Sequence, residues 1–278
     1  MMAHPNVNDT LVSFPHPHVM LVTLHQPARL NAIQSWQHAQ LQALFRWFDQ
    51  EPSLRCAVLT GAGRAFCAGA DLKEWKDRVQ DPGAKAPERW YTDGFGGISN
   101  RIGKKPVIAA VNGLCLGGGM EMAINCDLVI AASGARFGLP EASRGVVASA
   151  GALPRLIRSV GRQRASEMAL LGRQYDANTL KDWGLVNFVV KVDGKDDASA
   201  AVVEEALRCA IEMAGNSPDS VIASREGLRL GLEAMGPKFA TECLGVGFVS
   251  RIDGGENMKE GLSSFAERRK PLWKDSKL

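Results

Sequence analysis

Two acids in this 278-residue chain stand in apolar or turn settings where a carboxylate could do chemistry. Glu121 lies inside the apolar run GLCLGGGMEMAINC, and Glu141 follows a proline in FGLPEASRGV. Two carboxyls around one water hold different proton affinities, because mutual repulsion and poor solvation raise one of them. Such a pair can take a proton from water at one acid and deliver one to carbon from the other. Spacing alone leaves their meeting open, since Glu141 equally suits the start of a helix.

Beside these acids stand two glycine-bearing turns. One is GAGRAFCAGADLKEW, Gly61 to Trp75, where a strand ends at Thr60 and a helix is expected from about Asp71. The other is the triple glycine Gly117-Gly118-Gly119, just ahead of Glu121. Each can present a backbone N–H at a helix start, where the dipole favours negative charge. Two such donors on one carbonyl oxygen form an oxyanion hole, with roughly 3–4 kcal/mol of barrier lost per donor removed. Glycines equally serve tight turns and close packing, so both readings stand at this point. A nucleotide cradle is disfavoured: GAGRAFCAG lacks the GK[ST] ending of a P-loop, and GLCLGGG is not a GxGxxG after a first strand. A serine nucleophile elbow is disfavoured too, because VASAG around Ser149 lacks its first glycine and no histidine follows.

Composition narrows the rest. Hydrophobic residues make up 45% and charged residues 23%, ordinary values for a chain that buries a sizeable core. A formal net charge of +3 is too mild to imply nucleic acid. No run approaches the roughly 18 apolar residues of a membrane span, and MMAHPNVNDT lacks the pattern of a signal peptide. The six cysteines are scattered without a CxxC and read as reduced core thiols; no metal site is expected. All five histidines lie at or before His38, and nothing in the sequence suggests that they return to Glu121. At the other end, Ser276-Lys277-Leu278 spells a peroxisomal import tripeptide, read by a receptor, so the expected location is the peroxisome.

The elements that must position the acids can be read from apolar runs. VMLVTL (Val19–Leu24), RCAVLT (Arg55–Thr60), PVIAAV (Pro106–Val111), DLVIAA (Asp127–Ala132) and LVNFVV (Leu185–Val190) read as short buried strands. Between the first two, SWQHAQLQALFRWFDQ reads as a helix capped by Ser35, with Trp36, Ala39, Ala43 and Trp47 along its apolar face. Strands alternating with helices argue for an α/β fold. The polar, Pro- and Gly-bearing Gln80–Trp90 reads as a surface excursion. Beyond about residue 195 only helices are read, which divides the chain into a core, 1–195, and a helical region, 196–278.

RAFCAGADLKE, KPVIAAVNGLCLGGGMEMAINCDLVIA, ARFGLPE and GLVNFVV resemble successive signatures of the enoyl-CoA hydratase/isomerase (crotonase) family. HQPARLNAI near the start and KEGLSSFAERRKPLW near the end match its outer segments. The resemblance implies a spiral of ββα turns followed by helices that build trimers, commonly paired into hexamers. It implies that the N–H groups of Ala70 and Gly118 form the oxyanion hole for a thioester carbonyl. Ala68 and the stretch Ala70, Asp71, Leu72 and Lys73 would line the coenzyme A site. Phe265 and Arg268 match positions that contact coenzyme A, often from a neighbouring subunit. In the family's hydratases Glu121 matches the residue that activates water and Glu141 the one that protonates the α-carbon.

The retained pair makes reversible hydration of a 2-enoyl-CoA the leading expectation, with no cofactor beyond the coenzyme A of the substrate. An enoyl-CoA isomerase working through Glu141 is the alternative, and a catalytically inactive acyl-CoA-binding subunit is the alternative of another class. The chain departs from the hydratase pattern where Ala148-Ser149 replaces a customary Pro-Gly and where Arg144 puts a charge at a commonly apolar position. Either these departures are neutral drift, compatible with a plain chain of β-oxidation, or Arg144 and Ser149 mark an acyl pocket for a branched or hydroxylated short chain. Such chains include methylglutaconyl-CoA and the mevalonyl-CoA whose dehydration supplies acyl groups for siderophores. The expected partners are that thioester, further copies of the chain and a peroxisomal import receptor.

Overall fold

The computed structural model describes residues 3–81, 92–192, 197–233 and 235–278. Almost all of the expected excursion at 80–90 lies outside these residues. Six strands form the main sheet: β1 (Thr10–His16), β2 (Val19–Leu24), β3 (Cys56–Gly61), β5 (Val107–Val111), β7 (Leu128–Ala132) and β10 (Phe188–Val190), adjacent in that order. All pair in parallel except the β1–β2 hairpin. Each of the five strands read from the sequence is one of these six. The inner ones are legible because a parallel strand covered on both faces needs apolar side chains at every position, while the edge strand β10 leaves Phe188 exposed.

The coverage can be traced residue by residue. Ala57, Leu59, Ala109, Val111, Val129 and Ala131 point into a core shared with Leu41, Leu44, Phe45 and Phe48 of helix α1 (Ser35–Gln50). The alternate residues Cys56, Val58, Ile108, Ala110, Ile130 and Ala132 meet Val202, Ala206, Cys209, Ala210 and Ala214 of helix α7 (Ala198–Ala214). The strands stop at β10, yet α7 supplies one covering layer of the sheet. Packing of the core thus continues past residue 195.

Helix α1 corrects two readings. Its N-cap is Gln34, whose N–H is held by the Gln37 side chain at 2.8 Å, while Ser35 is already in the first turn and bonds Glu74. Trp36, Ala39 and Ala43 are exposed, and the buried stripe is Gln37, Leu41, Leu44, Phe45, Trp47 and Phe48. The helix is turned by about one residue from the tryptophan-led face, because the larger apolar set lies on the other side.

A second sheet contains β4 (Ala65–Cys67), β6 (Leu114–Leu116), β8 (Arg136–Gly138) and β9 (Gln174–Asp176), with only β8–β9 antiparallel. Each of the first two follows a main-sheet strand and leads to a helix, so β3-β4-α2 (Leu72–Gln80) and β5-β6-α3 (Gly118–Ile124) are successive ββα turns. The third, β7-β8, runs into a 3-10 turn at Pro140–Arg144 and then α4 (Ala152–Val160), α5 (Arg162–Leu171) and α6 (Ala177–Asp182). This is the spiral that the resemblance implied. After α7 come α8 (Pro218–Leu232), α9 (Pro237–Leu244), a π turn at Gly245–Val249, α10 (Ser250–Ile252) and α11 (Glu256–Ala266).

Two asparagines fasten one turn of the spiral to the next. Asn31 is buried and its Nδ2 donates to the carbonyls of Ala62 (2.9 Å) and Ala65 (2.7 Å). Asn112 Nδ2 donates to Gly63 O at 2.6 Å. Together they fix the β3–β4 loop from two sides.

Candidate active site

The first predicted amide is set by backbone pairing. Ile33 N–H donates to Gly69 O (2.9 Å), and Asp71 N–H donates to Ile33 O (3.1 Å). Those bonds straddle Ala70, so its own N–H faces the other way, and it has no acceptor among the described residues. Asp71 then caps α2, its Oδ1 accepting from the N–H groups of Lys73 (3.0 Å) and Glu74 (3.2 Å). The helix start expected near Asp71 is therefore the one observed.

The second amide comes from the triple glycine. Gly117 holds φ = 55°, a left-handed conformation that favours glycine, and its N–H donates to Gly138 O at 3.0 Å. A side-chain carbon on Gly118 would stand 2.5 Å from the Phe95 ring, and one on Gly119 would stand 2.2 Å from Cys67 O. The bared backbone lets α3 start directly beneath Phe95 and against β4. As a first-turn residue Gly118 has no intrahelical acceptor for its N–H. The two turns touch: a side-chain carbon on Gly69 would lie 3.2 Å from Gly118 N.

Both acids meet at this junction. Glu121 is one turn into α3, 4% exposed, and its Oε2 accepts the Ala152 N–H at 3.1 Å, with the Ala150 amide as a second donor. Burial pushes its carboxyl up to about 7, against the pull of those donors, and the field of Glu141 adds to the rise. Glu141 sits in the 3-10 turn after β8, with Oε1 3.2 Å from the point a Gly117 side-chain carbon would occupy. Burial raises its carboxyl as well, and its Oε2 is buried with no hydrogen-bond partner among the described residues. Donors around Glu121 oppose the rise that burial imposes on it, and the unpartnered oxygen of Glu141 leaves that carboxyl free to carry a proton.

Sequence reasoning missed what stands behind Gly118. Phe95 N–H donates to Ser99 Oγ (2.6 Å), and the buried Ser99 hydroxyl donates to Ala150 O (2.6 Å). One serine thereby ties the ring over Gly118 to the segment that holds Glu121. The N-terminal part of the chain also returns closer than expected. His38 Nδ1 accepts from Gly96 N–H at 3.0 Å, and its ring meets Phe95 edge-on, centroids 4.7 Å apart. Burial lowers His38 to about 4, with Glu74 opposing, so it is neutral near pH 7. The glycine-dense DGFGG, with positive φ at Gly94, Gly96 and Gly97, was the one local signal of this tight turn.

The remaining predicted residues divide. Ala68 is anchored by its N–H to Leu30 O (3.0 Å), Asp71 pairs with Arg29 (3.3 Å), and Leu72 and Lys73 are exposed along the start of α2 beside Ala70. Arg144 and Ser149 are exposed on the segment between Glu141 and Ala150, and their side chains make no hydrogen bond or ion pair among the described residues. Phe265, 87% exposed on α11, and Arg268 just beyond it are held, among the described residues, within their own helix end, where Arg268 N–H donates to Phe265 O at 3.2 Å.

A family model described as enoyl-CoA hydratase/isomerase matches residues 16–276. The chain is 61% identical to a mevalonyl-coenzyme A hydratase of Beauveria bassiana, over 99% of this chain and 98% of that protein. It is 47% identical to a mevalonyl-coenzyme A hydratase of Aspergillus fumigatus, again over 99% and 98%. Among solved structures, an enoyl-CoA hydratase of Mycobacterium tuberculosis superposes with a TM-score of 0.85 at 29% identity, over 96% of this chain and 99% of that one. The chain belongs to the enoyl-CoA hydratase/isomerase family. Its activity is that of an enoyl-CoA hydratase, a hydro-lyase acting on an acyl-CoA thioester.

Proposed function

We propose that the substrate is a mevalonyl-type acyl-CoA, turned over by Glu121 and Glu141 across an oxyanion hole made of the Ala70 and Gly118 amides. One observation carries this reading: two carboxyls raised by burial stand beside two amides that donate to nothing among the described residues. In the hydration direction, water attacks C3 of the enoyl thioester while Glu121 takes its proton. Electron density of the C=C bond moves onto the thioester oxygen, where the two N–H groups donate most strongly as charge develops. Glu141 gives its proton to C2 and the enolate collapses, so C3–O and C2–H bonds form as C=C is lost. A proton passing from Glu121 to Glu141 resets the pair. Dehydration of mevalonyl-CoA is the reverse, with loss of its 3-hydroxyl to give anhydromevalonyl-CoA.

High identity to two mevalonyl-coenzyme A hydratases supports this substrate, and so do the polar side chains of Arg144 and Ser149. The route would be the supply of acyl groups for siderophores. Coenzyme A would lie along Ala68 and Ala70–Lys73, meeting Phe265 and Arg268 of a neighbouring copy in a trimer or hexamer. The terminal Ser276-Lys277-Leu278 would address the protein to the peroxisome. In the fold Ser276 bonds Asp219, Lys277 bonds Glu256 (2.9 Å) and Lys104 bonds the terminal residue, so an import receptor would have to lift the tripeptide from this surface.

A thioester panel tests the assignment. Expected is a higher kcat/KM for dehydration of mevalonyl-CoA, or hydration of its anhydro product, than for hydration of crotonyl-CoA. Glu121→Gln and Glu141→Gln should each lower turnover by about 10²–10⁴-fold with the fold retained. Full activity in either variant refutes the acid–base roles. A preference for crotonyl-CoA refutes the mevalonyl assignment, and double-bond migration in 3-enoyl-CoA as the main reaction would favour isomerisation instead.

A further inference from the structure

Arg155 stands on α4, 34 positions after Glu121, and touches neither carboxyl group. Its Nη1 donates to Gly151 O at 3.0 Å and to Asn100 Oδ1 at 3.0 Å. Gly151 O and the Ala152 N–H belong to one planar peptide unit, so fixing one end fixes the other. The Ala152 end is the donor to Glu121 Oε2 at 3.1 Å. Gly151 is the N-cap of α4 and holds φ = 127°, a conformation that favours glycine. A side-chain carbon at Gly151 would lie 2.8 Å from Arg155 Nη1 and 2.5 Å from Ser99 O, so the guanidinium packs directly on the turn.

We propose that Arg155 is a positioning residue for Glu121: it aims the Ala152 amide at the carboxylate and stations a positive charge behind that amide. The proposal rests on the reading of Glu121 as the group that activates water. The fields reaching Glu121 come from Glu141 in the 3-10 turn and from Arg155, which lies near enough for mutual electrostatic influence. Strands β4 and β6, which also pack on α3, bring the Cys67 and Cys115 thiols, kept neutral by burial. Arg155 in turn faces Glu233 and Arg158. Loss of its charge removes the cation that opposes Glu141 at Glu121, so Glu121 should hold its proton to higher pH.

The test is the pH profile of kcat/KM for enoyl-CoA hydration in wild type, Arg155→Gln and Arg155→Lys, with thermal melting as a check on folding. Expected in Arg155→Gln is an acid limb moved upward by up to about one pH unit, hence a loss of up to roughly tenfold near pH 6 that narrows towards pH 9. Arg155→Lys, which keeps the charge but not the fork of donors, should fall between the two. A loss of equal size at every pH, with the limb in place, would overturn the proposal and leave Arg155 a structural residue. If Arg155→Gln does not fold, Arg155→Lys carries the test, and an unmoved limb there overturns the proposal. Infrared titration of the Glu121 carboxyl, assigned by its disappearance in Glu121→Gln, reads the proton without catalysis. An active Glu121→Gln would therefore refute the water-activating role while the carboxyl titration still decides whether Arg155 controls it.

Discussion

At the scale of single residues, the site keeps an acid where the fold would prefer none. Glu121 is buried on a helix packed between strands, and two backbone donors offset only part of the cost of its charge. A carboxyl whose proton affinity is higher in the folded chain than in the unfolded one favours folding fully only while protonated in both states. Its contribution falls as pH rises from the ordinary glutamate value of 4.5 through about 7. Glu121→Gln removes that dependence and retains an acceptor for Ala152 N–H. The variant should therefore gain stability relative to wild type between pH 5 and pH 8, approaching about 2–3 kcal/mol at the upper end. Urea unfolding at both pH values measures it. A difference that stays constant or shrinks with rising pH would mean that Glu121 is not held uncomfortably ionised. Stability and activity should then move in opposite directions in one substitution, the pattern of a site that stores its chemistry as strain.

At the scale of elements, catalytic placement depends on short segments held by side chains rather than on long regular structure. The β3–β4 loop leads through β4 to the turn that presents Ala70, and Asn31 grips it through two carbonyls while accepting Gln26 N–H at 2.9 Å. Asn31 also holds φ = 54°, a conformation asparagine tolerates better than alanine. Asn31→Ala should cost about 2–4 kcal/mol in chemical denaturation, since it strands buried backbone groups and adds strain. It should also lower kcat more than it raises KM, as the Ala70 amide loses its fixed bearing. Unchanged stability and kcat would show that the loop is held elsewhere. What was legible in the sequence follows the same division. The inner main-sheet strands announce themselves because both faces are buried, the edge strand β10 by its apolar run although Phe188 is exposed, and the start of α2 near Asp71 by the loop that follows a strand end. The three-residue strands of the second sheet are too short to show a period, and Trp36 drew the apolar face of α1 one residue off register. Glu121 and Glu141 were legible as acids in apolar or turn settings. Arg155, Ser99 and Phe95 were not, because they act through backbone groups contributed by segments distant in the sequence.

At the scale of the whole molecule, the helices after the sheet leave apolar side chains in solvent that a single copy has no means to cover. Leu228 on α8 is 77% exposed, Phe239 on α9 59% and Val246 in the π turn 81%. Helices α8 and α9 pack together, Gly227 admitting Leu244 at their contact, so these residues belong to one helical layer. Burying a large aliphatic or aromatic side chain is worth roughly 1.5–3 kcal/mol, and a layer of several marks an interface. If further copies of the chain cover it, as in the trimer proposed above, charge in this layer should separate them. Leu228→Glu with Val246→Glu should convert the assembly to monomers by light scattering. The monomer should stay folded, because both positions are solvent-facing within one copy. The kinetic consequence distinguishes this from generic damage. Phe265 and Arg268 sit at a helix end held, among the described residues, by local bonds, and a neighbour's copies of them would be lost from the coenzyme A site. KM for the thioester should rise more than kcat falls, while Glu121 and Glu141 remain in place. A double variant of unchanged mass would remove this face from the interface. A monomer with unchanged KM would show that each copy binds coenzyme A with its own residues alone.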